Sequence, residues 1–371
     1  MIEFVPEQYY TTVFFWTMFA LCLITSLYYQ WSPGCNKLLK QNSAFLPLLF
    51  TMVLIGYLGL RPVSYRFGDM PLYQHRWNMV EMIQPSIRFN LHTEWFFDYV
   101  LISCKTLVND VQFWFLIIEL FYIGCQFWAC KRLLWENVWL AIAFVYLSFQ
   151  FCTFGTNGIR NGMACGMMML AISFFCDRKM RGYAIGAFLF ILAVGCHRSV
   201  MIPMAALLVS MFVVKDIKIA IYIWLGCVIL SLVSGGFFQN FFASLGIDNR
   251  MSTYSSIAED RASHFSHSGF RWDFLLYSAM PVWLAGYVRS KGIIDNTFTL
   301  IANTYIIANS FWVLICRVAF SNRFAYLSWF MYALVIAYAV IRVPIWKDQD
   351  KIAGRILLAH SAFTMFMFLF G

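Results

Sequence analysis

Charge is scarce in this chain of 371 residues: Asp, Glu, Lys and Arg together make up 12%, against 61% hydrophobic residues and a mean hydropathy of +0.68. So apolar a composition excludes an ordinary water-soluble domain of this length. Paired cysteines are also missing. The 11 cysteines contain no C-x-x-C pair, and most of them, such as Cys22, Cys104, Cys165 and Cys316, fall in apolar runs. There a thiol behaves as a small hydrophobe, so neither a disulfide framework nor a zinc site is indicated. No cluster of metal-ligating residues stands out, and neither a metal nor another cofactor is called for. Internal repeats are absent too, which weighs against transporter architectures built from repeated halves.

What fills the chain instead is a succession of apolar runs of membrane-spanning length, about 20 residues each. Spans are expected near 9–31, 44–60, 111–129, 137–153, 159–176, 183–196, 199–214, 217–235, 272–289, 297–316, 323–343 and 354–370. The stretch 95–108 is shorter and carries Asp98 and Lys105, so it reads as either a thirteenth span or a re-entrant helix. The first run lacks a basic n-region and a small-residue cleavage site, and is expected to be retained rather than removed. The expectation is one integral membrane domain over 1–371: all-α, polytopic, GT-C-like, with about 12–13 transmembrane helices. Two longer extracytoplasmic loops are expected at about 61–110 and 235–271.

The net charge of +9 comes from basic residues spread through interhelical loops rather than stacked on one face. That distribution argues against a nucleic-acid partner. Lys131/Arg132, Arg178/Lys179/Arg181, Lys215/Lys218, Arg289/Lys291 and Lys347/Lys351/Arg355 are expected in cytoplasmic loops. Lys37 and Lys40 join them if 95–108 does not cross fully, with the N-terminus outside.

On that topology five charged segments fall towards the non-cytoplasmic face. Around Gly68 and Pro71 the backbone turns, presenting Asp69 and Tyr73 beside Arg66. Asp69 reads as a general base or a ligand-orienting carboxylate, or as a solvated acid paired with Arg66. Thr93-Glu94 opens the short apolar stretch, where it could cap that helix and place an acid in its first turn. Phe154 to Gly162 breaks one helix and starts another with Arg160 in its first turn, an anion site suited to phosphate. Cys196-His197-Arg198-Ser199 places an imidazole between two uncharged runs, where the adjacent arginine favours a neutral ring able to accept a proton. Arg317, Asn322 and Arg323 lie at the ends of adjacent spans, and Arg271 with Asp273 promises a supporting salt bridge. Each arginine also has a plainer reading as a snorkelling interfacial side chain.

In order and spacing these segments resemble the EpsG family of bacterial polysaccharide polymerases, the Wzy-type O-antigen and exopolysaccharide enzymes. The resemblance runs from about Arg61 to Ile341 and is strongest from Gly158-Ile159-Arg160 through His197-Arg198-Ser199. Gly68-Asp69 with Tyr73, Glu94, Gly269-Phe270-Arg271 with Asp273, and Asn322-Arg323-Phe324 match in the same order. Asn161 stands where the family often has Gln, and Cys196 where an aromatic is common. The resemblance implies a multi-pass enzyme of the bacterial inner membrane with its site facing the periplasm. Its partners would be the lipid bilayer, an undecaprenyl-diphosphate-linked oligosaccharide and a chain-length regulator. A growing glycan would pass from undecaprenyl diphosphate to an incoming lipid-linked repeat unit.

The residues then take these roles. Arg160 and Arg323, with Arg66 and Arg317, would hold the diphosphate, because preorganised guanidinium groups stabilise charge developing on a leaving group. His197, Asp69 or Glu94 would activate the acceptor hydroxyl. Tyr73, Arg198, Arg271, Asp273 and Asn322 complete the substrate set. Tyr65, Tyr73, Trp77, Trp95 and Trp272 would stack on sugar faces. Two other readings stay open: a glycosyltransferase using polyprenyl-phosphate sugars, and a lipid-linked oligosaccharide flippase.

Overall fold

The computed structural model describes residues 5–31, 44–80, 93–235, 237–238, 241, 270–317 and 321–370. Every element among them is helical. Five helical stretches are long and apolar enough to cross a membrane: Glu7–Trp31, Val111–Leu133, Asn296–Leu314, Asn322–Arg342 and Gln349–Phe370. Shorter apolar helices accompany them, among them Ile159–Phe175 and Met180–Cys196. The protein is an all-α polytopic membrane protein. Expectations that fall on Lys37, Lys40 and most of 235–271, including Asn249, Arg250, Glu259, Asp260, Arg261, His264 and His267, lie outside the described residues.

Packing divides the chain into two compact units, Met1–Arg198 with Val340–Gly371, and Ser199–Ala339. The first contains α1 (Tyr10–Trp31), α2 (Phe45–Gly59), α3 (Met70–Asn78), α4 (Trp95–Leu107), α5 (Val111–Leu133), α6 (Val138–Tyr146), α7 (Phe151–Thr156), α8 (Ile159–Phe175) and α9 (Met180–Cys196). The second contains α10 (Met201–Phe212), α11 (Ile217–Val233), α12 (Trp272–Ser290), α13 (Asn296–Leu314) and α14 (Asn322–Trp329). Helix α15 (Tyr332–Arg342) leads back, and α16 (Gln349–Phe370) closes the first unit against α1.

In the first unit α8 packs between α5 and α9. Helices α5 and α8 run the same way: Arg132, near the end of α5, donates to Ser173 near the end of α8 at 3.2 Å and to Asp177 just beyond it at 2.6 Å. The basic residues Arg132, Arg178, Lys179 and Arg181 therefore gather at one end of this bundle. Arg342 joins Glu136, which follows α5, through a salt bridge of 2.8 Å.

One run expected as a single span is broken. The run 137–153 splits into α6 and α7 at Leu147–Gln150. A break inside an apolar bundle frees backbone carbonyls that must find other donors. Here His360 of α16 lies 3.0 Å from the Phe144 carbonyl, Thr364 donates to Leu147 at 2.8 Å, and Tyr122 donates to Phe151 at 3.1 Å. The run 323–343, by contrast, forms the single apolar stretch Asn322–Arg342, with hydrogen bonds from Phe330 to Tyr326 and from Met331 to Ser328 carrying it from α14 into α15.

The second unit is organised around Asn309 on α13, which is fully buried. Its carbonyl accepts from Trp224 on α11 at 2.8 Å, and its amide donates to Ser278 on α12 at 3.1 Å and Ser328 on α14 at 3.0 Å. One side chain thus ties four helices together, the role interhelical hydrogen bonds take where apolar packing alone selects no partner. Asp216 and Arg289, from the two loops expected on one side, meet at 3.1 Å, so Lys215, Lys218, Arg289 and Lys291 sit at one end of this unit.

Candidate active site

The candidate site of the first unit is built where α3, α4, α8 and α9 meet. Glu94 precedes α4, and its carboxylate makes no capping hydrogen bond to that helix. It turns instead towards a guanidinium and an imidazole. One oxygen accepts from Arg160 Nη1 in the first turn of α8, and the other lies 3.0 Å from His197 Nδ1 just past the end of α9. A carboxylate can only accept, so Nδ1 is the donor in this contact, and the neutral tautomer that makes it has its lone pair on Nε2. Arg160 Nε also donates to the Tyr73 hydroxyl at 3.3 Å.

These groups are largely withdrawn from solvent, with side-chain exposures of 21% for Arg160, 19% for Glu94 and 13% for His197. Burial works to raise the Glu94 carboxyl, but the bond from His197 and the charge of Arg160 overcome it and hold the group down at about 2. Glu94 is therefore a fixed anion.

Local backbone makes the meeting possible. Gly195 lies against α4 so closely that a Cβ there would come within 2.7 Å of Phe96 Cβ and of Trp95 Cε2. Only glycine lets the end of α9 bring His197 down to Glu94. Gly68 has φ +66°, the left-handed region, and its missing Cβ leaves room for the Asn157 side chain. Asn157 Oδ1 then accepts from the Asp69 backbone N–H at 3.0 Å, latching the Asp69 turn to the α7–α8 break from which Arg160 projects.

The cluster sits at the start of α8, and the basic loop sits at its other end. From Arg160 to Phe175 that is about 22 Å along the helix axis.

Of the residues expected to act together, the structure joins Glu94, Arg160, His197 and Tyr73 directly, with Asp69 attached through Asn157. The group in hydrogen-bond contact with the imidazole is Glu94, not the neighbouring Arg198. Arg66 is exposed on the turn, with no salt bridge to Asp69 among the described residues. Tyr73 and Trp77 are buried, and Trp77 stacks on Trp114 at 5.9 Å, so their faces serve packing. Tyr65 and Trp272 are the strongly exposed members of the aromatic set.

In the second unit Arg271 and Asp273 form the expected salt bridge, with contacts of 2.9 and 2.5 Å. Arg317 lies over the Phe270 ring at 5.5 Å. Asn322 and Arg323 begin α14.

Two further ion pairs are not evident from the sequence. Asp98, one turn on from Glu94, pairs with Arg76 of α3. Arg61 pairs with Glu119 deep beneath the site. Glu119 is the lone acid in the 23-residue α5, and a single carboxylate inside an apolar span is the signal that marks it. Among the described residues no three His, Cys, Asp or Glu side chains are grouped to hold a metal. Asp348 and Asp350 have D-x-D spacing, but Gln349 between them bonds the Val340 and Val343 carbonyls and the N–H groups of Ile345 and Trp346, turning that segment into a backbone clasp.

Fold and cluster together define a class: a multi-pass, all-helical membrane protein with a carboxylate bridging a guanidinium and an imidazole at one end of its first helix bundle. The EpsG family model matches residues 45–371, and the chain belongs to the EpsG family, whose usual role is Wzy-type polysaccharide polymerisation. No curated protein and no solved structure matches the chain.

Proposed function

We propose that this protein polymerises a bacterial cell-surface polysaccharide, O-antigen or exopolysaccharide, on the periplasmic face of the inner membrane. It joins repeat units carried on undecaprenyl diphosphate. The observation that carries the reading is the bridging Glu94, because it orients a base and a phosphate-binding cation from one anion. The sidedness follows from charge: the basic loops at the far end of the α5–α8–α9 bundle belong in the cytoplasm, which turns the cluster outward.

In the reaction the acceptor hydroxyl of the incoming unit attacks the anomeric carbon of the growing chain. His197 Nε2 takes the hydroxyl proton, with Glu94 holding the ring through Nδ1–H and balancing the charge that forms. The bond from the anomeric carbon to the diphosphate oxygen breaks, and undecaprenyl diphosphate leaves with its negative charge. Arg160 meets that charge with Nη2, its other nitrogens being engaged by Glu94 and Tyr73. Arg66, exposed on the turn, is assigned as a further phosphate ligand, and Asp69 as a ligand of the acceptor. Arg317, Asn322 and Arg323, with the Arg271–Asp273 pair, are assigned to substrate binding on charge type and family resemblance.

Purified protein in liposomes, supplied with lipid-linked repeat unit, tests the proposal by product length. A ladder of repeats is expected from the parent and none from Arg160→Ala or Arg323→Ala, with both variants inserted normally. Normal ladders from either variant remove that arginine from the mechanism. Addition of a single sugar would identify a polyprenyl-phosphate-sugar transferase, and transfer across the bilayer without elongation a flippase.

A further inference from the structure

Arg61 and Glu119 are sealed from solvent, with side-chain exposures of 0% and 1% and a separation of 3.4 Å. Desolvating two charges this completely costs as much as their attraction returns, and apolar residues of similar volume stabilise a fold as well or better. Stability alone therefore gives no reason for the pair. Charged side chains buried within an apolar bundle are, by default, functional.

The other contacts of Arg61 show what it organises. Its guanidinium donates to the Leu58 carbonyl at the end of α2 and lies 3.5 Å from the Thr156 carbonyl, the last residue of α7. It also lies 3.1 Å from Met70 Sδ, at the first residue of α3. The chain neighbours of those last two are Asn157 and Asp69, the very residues latched by the 3.0 Å hydrogen bond. Arg160 lies three residues beyond Asn157 and Tyr73 four beyond Asp69, and those two side chains touch. Glu119 and Phe115 of α5 hold the guanidinium from below, with the Phe115 ring centre 5.4 Å from it.

We propose that Arg61 and Glu119 are the positioning pair of the active site. From beneath, one guanidinium pins the Asp69 turn and the α7–α8 break in the register that lets Tyr73, Arg160 and Glu94 meet. The proposal rests on reading that cluster as the polymerisation site. An apolar pair fills the same volume but caps none of these carbonyls, leaving the two segments free to slide. Misplacement by about 1 Å costs on the order of a hundredfold in rate.

The test is the double variant Arg61→Met/Glu119→Leu, assayed for folded abundance, melting temperature and polymerisation of lipid-linked repeat unit. Melting at or above the parental temperature is expected, with a rate at saturating substrate at least about tenfold lower and KM within about twofold. Gly155→Ala is the second perturbation and keeps both charges. Its Cβ would lie 3.3 Å from Glu119 Oε2 and 3.0 Å from Leu58 Cδ1, crowding the Glu119 carboxylate against its partner. A fall in rate per folded molecule is expected there too.

Parental rate in the double variant overturns the proposal; should that variant not fold, parental rate in Gly155→Ala does so. Loss of rate that only tracks loss of folded protein in both variants also overturns it, assigning the pair to stability. Arg160→Ala run alongside separates the two levels. If it is inactive while the pair variants are normal, only the positioning role fails. If it too polymerises normally, the site itself is misassigned.

Discussion

Replacing Glu94 by Gln changes one oxygen to an NH2 group and removes one charge, leaving size and shape almost untouched. The carboxylate now accepts from Arg160 on one oxygen and from His197 Nδ1–H on the other. An amide offers a single acceptor. If that oxygen stays with Arg160, the amide N–H groups face Nδ1, and the ring must place its proton on Nε2, the nitrogen needed as base. If the oxygen turns to His197, the amide faces Arg160 donor to donor and the guanidinium swings away. Either way one charge-assisted hydrogen bond, worth about 1.5–3 kcal/mol, is lost and the other weakened. Taken as about 3–4 kcal/mol of barrier, this is a rate loss of roughly 10²- to 10³-fold. Polymer formation at equal membrane abundance, read as the initial rate of repeat-unit consumption in liposomes, measures it. A Glu94→Gln variant within about threefold of the parent would refute the idea that this carboxylate orients base and arginine.

Gly195→Ala should both destabilise and inactivate, because its Cβ must enter space within 2.7 Å of Trp95 and Phe96. Overpacking of this kind costs about 1–3 kcal/mol and here parts α9 from α4, so unchanged detergent melting and rate would contradict the close approach. Glu94 also predicts a pH signature. Its folded value of about 2 lies below the ordinary carboxyl value of 4.5, so the stabilisation is present in full above pH 4.5 and is lost as pH falls towards 2. At most it is about 3 kcal/mol, less because the side chain is 19% exposed. The stability gap between parent and Glu94→Gln should therefore narrow between pH 5 and pH 3, and a constant gap would count against the ion pair.

Much of the fold is legible in the sequence, because hydropathy acts locally. The helices α1, α5, α8, α9 and α11 lie where the apolar runs place them, and Asp110, Asp216 and Asp295 cap α5, α11 and α13 as short polar residues before apolar runs do. The broken run was less legible. Nothing local to 147–150 announces a break as strongly as Gly or Pro would, and the break is sustained by donors from a distant helix, His360 and Thr364.

The individual site residues stand out as rare polar groups in apolar surroundings, so Glu94, Arg160 and His197 are visible one by one. Their partnership is not. Glu94 lies 66 residues from Arg160 and 103 from His197, and sequence alone leaves it equally suited to capping its own helix. Composition and periodicity by themselves determine that this is an all-helical membrane protein with polar groups at its helix ends, since the cost of placing charge in an apolar medium acts residue by residue. Which charges face one another was decided by tertiary packing alone, because it depends on approaches such as Gly195 against α4 and on the Asp69–Asn157 latch. Those contacts fix distances of a few ångströms between segments that the chain itself holds far apart.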